Sequence, residues 1–392
     1  MFEVPHLKTK NILLLTLLAF LFLFILCTTA QATNYYVSND GADSNDGSID
    51  HPWENISYVN AKMVDSTISA GDNIYFNRGD TFSDATLNLV IGGTSEDWME
   101  IDCYGTGDLP EINLSSAAIQ STTADVDYVR IANLSVGGST GTNNEITFTN
   151  DHQYISIFNV TVQDSAKSGM HIEQTYYPKV ENCTIEDCGL GGIVFYGTTT
   201  HRLKEGIIRN CTITNVGTDT TSDCITIHTG DSTPSTQLVG ENIWVENCDV
   251  SYATEDGIDI TSGTNVLIEN CKSHHNTMCG ITFGSYQKNV TIQNCNFSSN
   301  TLVGINVGET NGVIVRNNIV YDSTSNSILD LQASSITWIE NATFYNNNFM
   351  QPNGCTYTQR VFSLNYNTFK DVFFKNNIFA TFDSTNPPKL YQ

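Results

Sequence analysis

Asn289-Val-Thr-Ile-Gln-Asn-Cys-Asn-Phe297 is the stretch on which the fold turns. Side chains of a strand alternate between two faces, so Val290 and Ile292 share one face with Asn294, while Cys295 and Phe297 fall on the other. The alternation breaks between Asn294 and Cys295, and that break predicts a corner. A further short strand is expected at Gly304-Ile-Asn-Val307, with Ile305 and Val307 pointing inward. Three short strands separated by bends make one coil of a three-sided solenoid.

The phrase recurs as Asn182-Cys-Thr-Ile, Asn210-Cys-Thr-Ile, Asn247-Cys-Asp-Val, Asn270-Cys-Lys-Ser and Asn317-Asn-Ile-Val. From Asn182 to Asn317, with Asn294 in the series, the intervals are 28, 37, 23, 24 and 23 residues. A second anchor keeps step at Gly169-Met, Gly192-Ile, Cys224-Ile, Gly257-Ile, Gly280-Ile and Gly304-Ile. Two anchors in phase mark a repeat architecture, here an all-β parallel β-helix with three short strands per coil. Helical repeats are excluded by the Gly, Asn, Thr, Ser, Ile and Val that fill the units. The Leu pattern of leucine-rich repeats and the Gly-Gly-X-Gly-X-Asp nonapeptide that binds Ca²⁺ are both missing.

Parity places the Asn of each phrase inside, as a ladder of stacked amides that satisfies backbone groups left unpaired at the bend. Nine Asn-X-Ser/Thr sequons occur, and burial in that ladder would deny glycosylation to Asn182 and Asn210. The Cys after each Asn reads as small apolar filling of one interior column. Disulfides between stacked neighbours stay open as an alternative.

The N-terminus carries Lys8 and Lys10, an apolar stretch from Ile12 to Leu26, and small and polar residues ending Ala30-Gln31-Ala32. That layout predicts a signal peptide over residues 1–32, hence a secreted or cell-surface protein with no stable membrane insertion after cleavage. Residues 33–115 are expected to form an N-terminal cap and the first coils, and residues 116–392 the repeats. The net charge is −25, and −26 once Glu3, Lys8 and Lys10 are removed. A field of that sign repels nucleic acid and anionic membranes.

Tyr35-Tyr-Val-Ser-Asn-Asp-Gly-Ala-Asp-Ser-Asn-Asp-Gly47, His51-Pro-Trp53, Ile56 and Gly71-Asp-Asn-Ile-Tyr-Phe-Asn-Arg-Gly-Asp80 are similar to the leading segment of many secreted right-handed β-helix proteins. Trp98-Met-Glu-Ile-Asp-Cys-Tyr-Gly-Thr-Gly-Asp-Leu-Pro-Glu-Ile112 continues the likeness. The chain thus resembles the pectin-lyase-like superfamily, which implies a right-handed coil. That superfamily spans polysaccharide lyases, glycoside hydrolases, phage tailspikes and surface proteins without assigned activity, so the fold alone chooses no function. The leading segment also reads as a cap over an open solenoid end. No cofactor is specified, and Ca²⁺ is the candidate ion, with Asp40, Asp43, Asn45 and Asp46 as oxygen donors or simply as a solvated turn.

Stacking coils brings sequence-distant residues side by side. Aligning Ser222-Asp-Cys-Ile-Thr-Ile-His228 with Glu255-Asp-Gly-Ile-Asp-Ile-Thr261 sets Asp223 beside Asp256, Thr226 beside Asp259 and His228 beside Thr261. The same outward face is expected to show His171, Glu173, Val194 and Tyr196, with His274 and His275 entering from the loop of the following coil. Asp223, Asp256, Asp259 and His228 are therefore the catalytic candidates, and His171, Glu173, Tyr196, Glu255, His274 and His275 the substrate-binding ones. Paired carboxylates supply the acid and the base, or nucleophile, of glycosidic cleavage. Tyr196, Tyr252 and Tyr286 could stack on sugar rings, and the same carboxylates could instead hold Ca²⁺ against a uronate in a lyase. Asp before Gly is also a common turn residue, and an exposed His is usually just solvated.

Asp223-Cys-Ile and Asp256-Gly-Ile resemble the paired-Asp strands of polygalacturonases. The Gly-His-Gly motif of those enzymes is missing, and Arg-X-Lys occurs only as Arg202-Leu-Lys204, on the wrong side of the Asp residues. Lys and Arg are likewise absent from the outward Gly-Ile face, which weakens a lyase reading. Two functions follow: a β-helix enzyme that binds and cleaves an extracellular polysaccharide, or a non-catalytic surface, adhesion or structural module.

Overall fold

The computed structural model describes residues 32–392 except 124, 199, 219–220, 230–239, 285–286, 324–326, 333–337, 352–359, 366–368, 384–385 and 392. The predicted signal peptide therefore lies almost wholly outside the described residues, as does Tyr286. From Asn34 the chain winds through about ten right-handed turns, and each turn contributes a strand to each of three sheets. Every described strand pair is parallel apart from Ile378–Asp383 with Asn386–Tyr391. No described helix is long and apolar enough to cross a membrane.

The coil around Asn294 shows why the sequence folds this way. Its strands are Gln287–Gln293, Asn296–Ser298 and Val303–Val307. Val290, Ile292, Phe297, Ile305 and Val307 are all fully buried. In the next coil they meet their own kind: Val290 lies beside Val313, Phe297 beside Val320, and Ile305 beside Leu329. Columns of β-branched side chains, one per coil, form the core. At ~25 cal/mol per Å² of apolar surface removed from water, such columns supply most of the drive to stack. The Gly of the second anchor has a steric cause, because a Cβ on Gly280 would stand 2.6 Å from the Gly304 carbonyl oxygen.

The inward Asn expected at each corner is corrected by the structure. Asn182, Asn210, Asn247, Asn270, Asn294 and Asn317 are exposed, with φ between 55° and 57°. A residue in the left-handed region reverses the strand's alternation, so its side chain leaves the sheet and the next residue takes the interior place. Asn tolerates that conformation better than most residues. The amide ladder survives outside, with Asn210 Nδ2 donating to Asn182 Oδ1 at 3.0 Å. Burial thus gives no protection against glycosylation at Asn182 or Asn210.

The interior place belongs to Cys183, Cys211, Cys248, Cys271 and Cys295, all buried. They are free thiols, as are the other described cysteines. Farther along, Asn318 and Asn347 replace Cys in this column, and there an inward amide ladder does form. Asn318 Nδ2 donates to the Ile292 carbonyl at 3.1 Å and to Asn347 Oδ1 at 3.0 Å. Its Oδ1 accepts the Cys295 N–H at 2.9 Å.

At the N-terminal end, strand Asn34–Val37 already pairs with Asn73–Asn77. Between them the helix Ile56–Val64 buries Ile56, Val59 and Met63 against the core. The acidic loop before it is spent on its own turn. Asp43 accepts the backbone N–H groups of Glu54 and Asn55, both at 3.1 Å. Asp46 accepts the Ser48 N–H at 3.0 Å.

Candidate functional site

Four consecutive strands of one sheet build the site: Ser168–Glu173, Gly191–Gly197, Asp223–Thr229 and Ile258–Ile260. Their inward residues, among them Ile172, Phe195, Ile227 and Ile260, anchor in the core. Alternation then fixes what faces out. His171, Val194, Thr226 and Asp259 stand in one row across the strands. Glu173, Tyr196 and His228 stand in the row beside it. With Asp223, Glu255 and Lys167 these residues line a cleft of about 640 Å³.

The register sets Asp223 beside Asp256 as the alignment of coils requires, since Ile225 pairs with Ile258. Asp223 Oδ1 accepts the Asp256 N–H at 3.1 Å, and Oδ2 accepts the Thr226 hydroxyl at 3.3 Å. Asp256 repeats the arrangement one coil on, its Oδ1 accepting the Cys279 N–H. Each carboxylate thus ties its coil to the next. Asp256 is only 5% exposed and is absent from the cleft lining, so the carboxyls that face the cleft are Asp223, Asp259, Glu255 and Glu173.

Burial and crowding hold protons on this cluster. Asp223 is pushed well above the ordinary carboxylate range, first by burial and then by the charges of Asp259 and Asp256. Asp259 is raised to about 8 by burial and by Asp256, against a hydrogen bond from Thr261 that favours its charge. Burial lifts Asp256 to about 6. Two like charges in one desolvated site cannot both ionise easily, so Asp223 and Asp259 titrate as a unit. Such a unit can offer a proton and a carboxylate at the same pH.

The flanking rings are ordered by stacking along the solenoid axis. Tyr196 lies 6.1 Å from His228 at an interplanar angle of 10° and 5.7 Å from His171. His171 Nε2 reaches Glu173 Oε2 at 3.4 Å. Lys167, Leu190 and Thr221 also line the cleft. They precede the periodic strands, so no repeat phase marked them in the sequence.

His274 and His275 do not join this group. Strand Lys272–His274 belongs to another sheet, beyond the corner at Asn270 and Cys271. There His274 Nε2 lies 2.9 Å from Asp249 Oδ1, and the Nδ1 atoms of His274 and His275 are 2.8 Å apart. Tyr252 stacks on His275 at 5.2 Å, also outside the cleft. Arg202 and Lys204 pair with Glu241 on the third side of the coil. Among the described residues no three His, Cys, Asp or Glu side chains are arranged to share a metal ion.

A family model described as "Right handed beta helix region" matches residues 111–243 and 238–386, and the chain belongs to that family. No curated protein matches the sequence. Among solved structures, the chain is similar to the A-module of the Azotobacter vinelandii mannuronan C-5 epimerase AlgE4. The TM-score is 0.63 and the identity 15%, over 82% of this chain and 92% of that one. It is also similar to the GH136 lacto-N-biosidase of Eubacterium ramulus, with TM-score 0.56 and 15% identity over 88% of this chain and 68% of that one. A third likeness is PfbA, a surface adhesin of Streptococcus pneumoniae, with TM-score 0.54 and 14% identity over 86% and 91% of the two chains. At these identities the likeness is one of fold.

Proposed function

We propose that this is a secreted or cell-surface β-helix protein that binds an extracellular polysaccharide in the cleft and hydrolyses a glycosidic bond there. The observation that carries the reading is the Asp223 and Asp259 pair, both raised in pKa by burial and by neighbouring carboxylates and lining one cleft with Tyr196 and His228. Glycoside hydrolysis needs a carboxyl that protonates the leaving oxygen and a carboxylate that activates water or attacks carbon. The pair supplies both where one carboxyl has ionised and the other still holds its proton. Tyr196 and His228 offer ring surface for a sugar, and His171 with Glu173 offers polar partners for its hydroxyls. Asp256 acts in this reading as a positioning residue, holding the turn into the Cys279 strand. The relatives in fold include proteins named for action on glycans and one named as an adhesin.

Release of reducing ends from a panel of polysaccharides tests the proposal. Asp223→Asn and Asp259→Asn should each lower the rate by ~100-fold or more, the usual share of acid–base catalysis, with the far-ultraviolet circular dichroism unchanged. Full activity in both variants, or a wild-type protein that binds polymers without shortening them, removes the catalytic reading.

A further inference from the structure

We infer that the cleft takes a neutral glycan, free of carboxylate, sulfate or ammonium groups, lying along the solenoid axis. This rests on the polysaccharide reading of the same cleft and adds the charge class of the substrate and its path. Charge is the first observation. Four carboxyl side chains line the cleft, from Glu173, Glu255 and the proton-holding Asp223 and Asp259, against Lys167 as the one Lys or Arg among its described lining residues. A polyuronate presents an anion on every sugar, and one cation cannot neutralise a row of them.

The second observation lies on either side of the cleft. The row through His171, Val194, Thr226 and Asp259 continues without a break on the same sheet. Toward the N-terminal end it runs through Thr147, Gln120 and Asn88. Toward the C-terminal end it runs through Thr282 and Asn306 and reaches Asp330, which is buried. No Lys or Arg stands in that row. Between Asn88 and Asn306, Asp259 is its one acidic residue, so a cationic amino-sugar polymer finds no ladder of carboxylates either. The amides are tied between coils by hydrogen bonds, Gln120 Nε2 to Asn88 Oδ1 at 2.6 Å and Asn306 Nδ2 to Thr282 Oγ1 at 2.9 Å. Strands ~4.8 Å apart repeat these groups at a spacing close to that of sugar rings in a chain. Uncharged hydroxyls and acetamides are what such a surface can pair with.

The chemistry balances without a further reactant. Water adds across the bond between the anomeric carbon and the glycosidic oxygen. The proton of one Asp passes to the leaving oxygen, and a proton of water passes to the other Asp, which restores the pair.

Affinity electrophoresis of the intact protein tests the inference. The gels would contain neutral glucans, xylans, mannans and galactans, a polyuronate and its carboxyl-reduced form, a sulfated galactan, and chitosan with its fully N-acetylated form. Each would be run with Ca²⁺ and with chelator. Retardation is expected only by neutral polymers, and Gln120→Ala combined with Asn306→Ala should weaken it about tenfold. Retardation by the polyuronate, the sulfated galactan or chitosan in preference to their neutral counterparts, with or without Ca²⁺, overturns the inference and leaves the polysaccharide reading standing. Unchanged affinity in the double variant overturns the axial path. Retardation by none of the polymers overturns the polysaccharide reading, and this inference with it.

Discussion

Asp259 carries a measurable consequence at the scale of a single residue. Its carboxyl is raised to about 8 from an ordinary 3.8, so the folded protein binds that proton more tightly than the unfolded chain does. Stability then falls as pH rises between about 4 and 8, the opposite of a salt-bridged carboxylate. Glu145, buried and raised to about 7, acts in the same direction. The urea midpoint of the wild-type protein should drop between pH 5 and pH 8, and that of Asp259→Asn should drop distinctly less. An identical drop in the two proteins would show that Asp259 ionises in the fold as it does in the unfolded chain. Residue identity alone showed Asp259 as a candidate, but not that Asp256 would turn its carboxylate to the Cys279 N–H. That choice depends on where the next coil's backbone arrives.

The corner is the informative element. Its place was legible, because alternation breaks at Asn294 and Cys295 in a phrase that recurs with the period of the coil. Which of the two residues faces inward was not legible, because parity counting assumes an extended backbone and the corner residue is left-handed, with φ 57° at Asn294. Two substitutions separate the roles. Asn182→Val, forcing a β-branched residue into that region, should cost about 1–2 kcal/mol, whereas Asn182→Gly should be close to neutral. Asn318→Ala should cost more, about 1–3 kcal/mol for each buried group it strands, since it leaves the Cys295 N–H and the Ile292 carbonyl without their partner. Urea midpoints rank the three, and a larger loss at Asn182→Gly than at Asn318→Ala would reverse the assignment of outer and inner ladders.

At the scale of the whole molecule, net charge and winding set the behaviour. A charge of −25 spread along a solenoid repels itself, so salt that screens exposed charges should raise the melting temperature. Calorimetry in 20 mM and 500 mM NaCl checks this, and a fall with salt would mean that the ion pairs of Arg209 with Glu181 and Glu246 outweigh the repulsion. Winding also decides who meets whom. His274 follows Asp256 and Asp259 closely in sequence, yet two corners carry it to another side of the coil.

By itself the sequence determined the parallel coil, its period, its inward Ile and Val columns and the register that sets Thr226 beside Asp259, because each follows from a phrase repeated in phase. Only the tertiary structure decided which side of the coil each residue occupies, which carboxyls open to the cleft and which cap the next strand. Those outcomes depend on the backbone handedness of the corners, which parity counting does not see, and on backbone from neighbouring coils, which leaves no periodic mark in the chain.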